Sequence, residues 1–116
     1  MSEMYDLRSD RLDLGWDSWA DVVLSFLGEG VDTTGWVNVF EIFATDDDGE
    51  TASGAALLTL TDGDGVTNTP SEDSEIAIAI PAEFYEDRGG QILYCRFTAV
   101  IDGLRTSLLH GRIDIA

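Results

Sequence analysis

Apolar side chains recur at every second position through most of this chain, and that spacing places alternate residues on opposite faces of an extended strand. The run Ile76-Ala77-Ile78-Ala79-Ile80 is the plainest case, and Leu93, Cys95, Phe97 and Ala99 repeat it. Between such runs stand Gly, Asp and Pro, residues that turn a chain or stop a ladder. An all-β fold follows, and 116 residues suffice for one domain.

The strands are expected at 18–27, 36–44, 56–61, 66–68, 74–80, 91–101 and 104–115. In the first, Val22, Leu24 and Phe26 share one face. In the second, Asn38, Phe40 and Ile42 alternate with Val37, Val39, Glu41 and Phe43. Asp62-Gly63-Asp64-Gly65 supplies two glycines that accept positive φ, and Asp102-Gly103 is a dipeptide preferred by tight hairpins. Pro81 ends one strand, and with Gly89-Gly90 further on it brackets one or two helical turns over 81–88, with Phe84 or Tyr85 packed inward. About seven short strands with one short helical turn predict an antiparallel immunoglobulin-like β-sandwich over 18–116. Residues 1–17 read as a separate N-terminal arm that docks on a neighbour and orders only in an assembly.

Charge narrows the partners. Twenty-three acidic side chains stand against six arginines and no lysine, a formal charge of −17. Such a surface repels phosphate backbones and anionic lipid, so neither nucleic acid nor a membrane is an expected partner. With 44% hydrophobic residues the chain is too apolar for a disordered acidic tail. A single cysteine rules out an internal disulfide and suits a reducing cytoplasm. The first 20 residues hold no continuous apolar stretch, and the longest near-apolar run, Ile76 to Ala82, is far below the roughly 20 residues that span a bilayer, so neither an export signal nor a membrane span is expected.

The residues that carry chemistry are few. Cys95 and His110 fall on neighbouring strands, yet Cys95 belongs to the inward set, where a thiol acts as a small hydrophobe. No catalytic constellation emerges and no enzyme or cofactor is expected. Carboxylates at Asp46-Asp47-Asp48-Glu50 and at Asp62 and Asp64 could gather around Ca²⁺. Counting Asp62 as the first position of a calcium loop puts Asp73, an acid shorter than the usual glutamate, at the twelfth, so both clusters read as solvated turns and no metal is expected, with Asp62 and Asp64 the weak candidates. Trp16, Trp19 and Trp36 could stack on sugar rings, or could pack in a core or a protein contact.

In order and spacing, several segments resemble the immunoglobulin-like N-terminal domain of phage baseplate upper proteins and related small tail-associated proteins of tailed phages. They are Val31-Asp32-Thr33-Thr34-Gly35-Trp36, Leu58-Thr59-Leu60-Thr61-Asp62-Gly63, Ile76-Ala77-Ile78-Ala79-Ile80, the turn at 81–90, Leu93-Tyr94-Cys95-Arg96-Phe97 and Leu108-Leu109-His110-Gly111-Arg112-Ile113. The resemblance spans residues 19–116. Asp32 suits an Asx turn and Gly35 a positive φ, whereas Thr33 stands where the family usually has leucine.

The resemblance implies a non-enzymatic structural protein of a virion, made in the host cytoplasm, that contacts other virion proteins and forms a homo-oligomer or symmetric assembly. A tail, baseplate or fibre-attachment adaptor is the leading expectation. A capsid decoration protein and a carbohydrate-binding adhesion module are the alternatives. Contact is expected through Tyr5, Leu7, Leu12, Leu14 and Trp16 of the arm.

Overall fold

A computed structural model describes residues 2–46 and 48–116. Its strands are β1 (Ser2–Asp6), β2 (Asp10–Trp16), β3 (Val22–Gly28), β4 (Val37–Thr45), β5 (Ala52–Asp62), β6 (Gly65–Thr69), β7 (Ser74–Ile80), β8 (Ile92–Ile101) and β9 (Leu104–Ile115), with one helical turn, α1 (Ala82–Tyr85). The chain is therefore all-β. The strands join in one curled, mixed sheet of order β1-β3-β7-β6-β5-β4-β8-β9-β2.

The alternation read from the sequence does the folding. Val22, Leu24 and Phe26 of β3, Ile76, Ile78 and Ile80 of β7, Phe40 and Ile42 of β4, and Leu93, Cys95 and Phe97 of β8 all face the concave side and are buried. Phe97 packs edge-on against both Phe26 (5.4 Å between centroids) and Phe40 (6.2 Å), joining the two halves of the curl at its centre. Each such side chain contributes roughly 1.5–3 kcal/mol on leaving water.

The turns also follow local chemistry. Asp102 and Gly103 take φ of 52° and 79° in the β8–β9 hairpin, while Gly63 and Gly65 take 80° and 96° around the β5–β6 turn. Asp32 Oδ1 accepts from the Thr34 N–H (2.9 Å) and hydroxyl (2.6 Å), the expected Asx turn, with Gly35 at φ 79°. Thr33 is fully buried beside it. Its N–H donates to Ser74 Oγ (3.0 Å) and its hydroxyl to Asn68 Oδ1 (2.5 Å), so a polar side chain at this place serves a hydrogen-bonded clasp onto β6 and β7 rather than apolar packing.

The architecture departs from the expected antiparallel sandwich in three ways. The sheet holds nine strands, three of its pairings are parallel, and hydrogen bonding does not divide it into two sheets. The join between its halves is slight, because β5 and β6 share only the pairs Thr61↔Gly65 and Asp62↔Val66.

The largest difference lies at the N-terminus. The stretch expected as an independent arm supplies both edges of the sheet: β1 runs parallel to β3, and β2 runs parallel to β9 from Asp10↔Leu109 to Trp16↔Ile115. Residues 7–9 carry the chain from one edge to the other. The reason is the same period of two: Leu12, Leu14 and Trp16 point inward while Arg11, Asp13 and Gly15 point out, so β2 closes over the open side of the core. Smaller differences are that residues 18–21 form a turn before β3 rather than its start, and that the helix is a single turn with Tyr85 buried.

Candidate functional site

The residues expected to reach a partner are mostly occupied inside the chain. Leu7, Leu14 and Trp16 are buried in its own core, and Tyr5 and Leu12 pack half-buried against it, with the Tyr5 ring 5.7 Å from that of Phe26. As side chains already covered by this chain, the first three present no contact surface. The physical reason is that β1 and β2 sit at the sheet's two rims, where their inward residues complete the hydrophobic lining.

Cys95 and His110 do not meet. Cys95 pairs with Gly111 and faces the core, while His110 pairs with Arg96 on the opposite face. Burial pushes the Cys95 thiol up to about 12, the reverse of what a nucleophile requires. Asp62 is a structural clasp: its carboxylate accepts from the buried Asn38 through the backbone N–H (2.8 Å) and the side-chain amide (3.0 Å). Asp64 is exposed at the β5–β6 turn, where its backbone N–H donates to the Thr61 carbonyl (2.8 Å). Among the described residues no three His, Cys, Asp or Glu converge on a common metal position. No described helix is long and apolar enough to cross a membrane.

Trp36 is half-buried at the end of the fold that carries the β8–β9 hairpin. It separates a cavity of about 560 Å³, reaching Asp32 and Asp102, from one of about 430 Å³, reaching Asp62 and Asn68. Both are open hollows with carboxylates and an aromatic wall, and no arginine or histidine lines either. The hydroxyl in the larger one, from Thr34, already donates to Asp32.

The opposite end holds the most exposed large apolar side chain of the described residues, Trp19, at 81% exposure. Its turn is tightly held. The Trp16 carbonyl accepts from the Ala116 N–H (2.9 Å), the Ala116 carbonyl from the Ser18 N–H (3.1 Å), and the Asp17 carbonyl from the Ala20 N–H (3.0 Å). The Tyr85 hydroxyl donates to the Ala20 carbonyl, and the Tyr85 ring packs edge-on to Trp16, 5.9 Å between centroids. Burial raises the Tyr85 phenol above its ordinary value, with Asp21 and Glu86 adding to the rise, so it remains a donor.

An indole is thus carried outward on a backbone fixed at both sides, with Asp17 and Asp21 flanking it. Two tryptophans three positions apart stand oppositely: Trp16, named among the expected contact residues, is buried, and Trp19, not named there, is exposed. The available signal was the Asp-Ser-Trp-Ala-Asp stretch, whose small and acidic residues suit a turn better than the start of a strand. No protein-family model matches the chain, and no curated protein sequence is similar to it.

Proposed function

We propose that the protein is a non-enzymatic structural protein of a tailed-phage virion, a tail, baseplate or fibre-attachment adaptor that assembles through protein–protein contacts. The observation that carries this reading is Trp19, a fully presented indole on a turn clamped by Ala116 and Tyr85. An exposed aromatic side chain on a backbone held in one conformation makes an effective anchor, because little loop freedom is lost on docking. The flanking Asp17 and Asp21 suit an apolar pocket rimmed by Arg or Lys on the partner.

The immunoglobulin-like reading belongs to the same proposal. In this reading β1-β3-β7-β6 and β4-β8-β9 would be the two strand groups of that sandwich, and the slightness of the β5–β6 link supports it. The phage assignment draws on the ordered resemblance of the segments over 19–116.

Cryo-electron microscopy of purified virions tests the proposal. Density for this fold at the tail or baseplate, with Trp19 in a partner pocket, is the expected result. Density on the capsid lattice would move the assignment to decoration. Absence from virions, together with oligosaccharide binding that a Trp19→Ser variant loses, would replace it with an adhesion module.

A further inference from the structure

At the end of the fold opposite Trp19, the loop of residues 29–36 and the β8–β9 hairpin frame the cavity of about 560 Å³, with Trp36 as one wall. Its apolar lining continues through Val37, 55% exposed, and the half-buried Ile101.

The polar side chains of this lining are Asp32, Thr34 and Asp102. Thr34 gives both its hydroxyl and its N–H to Asp32 Oδ1, which orients that carboxylate and holds its carboxyl below the ordinary range, so it stays ionised. Among the described residues no hydrogen bond or ion pair reaches the Asp102 carboxylate, which stands on the tight turn of the hairpin at φ 52°. Arg105 of the same hairpin is outside the lining: its guanidinium donates to Thr98 (3.3 Å) and lies 3.9 Å from Glu41. The smaller hollow beyond Trp36 differs, because there Asp62 is engaged by Asn38 and Asn68 by Thr33.

We propose that the larger hollow receives an arginine side chain of a partner protein, with the guanidinium against the Trp36 indole and shared between Asp32 and Asp102, and the methylenes along Val37 and Ile101. The class of ligand follows from what the hollow supplies. Apart from the Trp36 indole N–H, its side chains offer only acceptors, two of them anionic, whereas a sugar presents hydroxyls that both donate and accept. A guanidinium carries five donors and no acceptor, meets carboxylates in a fork, and stacks its plane on an aromatic wall. An ammonium has the charge without the plane or the fork. The formal charge of −17 draws cations toward the molecule and opposes an anion at this place. The inference does not rest on the virion reading or on the Trp19 anchor, which lies at the other end of the fold.

NMR titration of the ¹⁵N-labelled full chain with N-acetylarginine N-methylamide, up to about 50 mM at constant ionic strength, tests it. Saturable shifts are expected at the Trp36 indole N–H and at the amides of Gly35 and Gly103, with a dissociation constant on the order of 1–10 mM, as suits a single side chain. The citrulline counterpart, similar in shape and uncharged, should bind at least about tenfold more weakly, and the lysine counterpart at least about threefold. Asp102→Asn keeps a residue that tolerates the left-handed φ, and Asp32→Asn keeps an oxygen that can accept from Thr34. Each should weaken arginine binding at least about threefold, while Trp19→Ser leaves it unchanged. The amide spectra establish that each variant is folded.

No saturable shift, citrulline or lysine binding as tightly as arginine, or binding that both folded Asn variants leave intact overturns the proposal. Maltotetraose shifting the same resonances where arginine does not would overturn it too, and assign the hollow to carbohydrate.

Discussion

The Tyr85 hydroxyl donates to the backbone carbonyl of Ala20, tying the single-turn helix α1 to the turn between β2 and β3 across 65 residues of chain. This bond fixes the platform from which Trp19 projects. Tyr85→Phe keeps the ring and its edge-on packing against Trp16 but leaves the Ala20 carbonyl without this donor. A loss of about 1–3 kcal/mol is expected, and thermal unfolding should show it as a midpoint lower by roughly 4 °C or more.

Trp16 and Trp19 should respond oppositely to truncation. Trp16→Ala empties a buried site and should cost about 3–5 kcal/mol. Trp19→Ser, at a side chain 81% exposed, should change stability by no more than about 0.5 kcal/mol. Denaturant titration measures both. Acrylamide should quench the Trp19 fluorescence fully in the native state, and incorporation of the Trp19→Ser variant into assembled particles should fail although it folds.

Gly111 lets β2 close the sheet. A Cβ there would strike the Leu12 carbonyl oxygen and come within 2.6 Å of the carbonyl carbon, backbone atoms that cannot swing aside. Gly111→Ala should therefore displace β2 rather than simply crowd a side chain, at a cost of about 1–3 kcal/mol. Hydrogen exchange checks this directly: amides of Asp10–Trp16 should lose protection while those of β3 and β7 keep theirs.

Cys95 makes stability depend on alkaline pH. Its thiol is raised from an ordinary value of 9.0 to about 12 by burial, so between those values the unfolded chain releases a proton that the folded chain retains. The contribution is fully present below pH 9 and is lost as pH rises toward 12. Compared with Cys95→Ala, the unmodified chain should lose stability more steeply from pH 9 to 11. Iodoacetamide should label Cys95 only at the rate of unfolding, and fast labelling of the native chain would contradict its burial.

Much of the fold was legible locally. The strand Ser74–Ile80 and the hairpin at Asp102-Gly103 stand where alternation and turn chemistry put them, and the inward faces of β3, β4, β7 and β8 follow the period of two. These features depend on neighbours a few residues apart. The site was less legible, because Asp62 looks like a free carboxylate until the buried Asn38 amide is seen against it.

Residues 2–16 mark the boundary between the two kinds of information. Their alternation was in the sequence by itself, but not their partners: β2 pairs in parallel with β9 about a hundred residues away, and no turn between them records it. Whether Leu14 and Trp16 face a neighbouring protein or this chain's own core depends on which surface is left uncovered once the other strands have curled. Alternation sets which side chains share a face. Only the assembled sheet decides what that face touches, because burial is a property of the surfaces that meet and not of the segment that carries them.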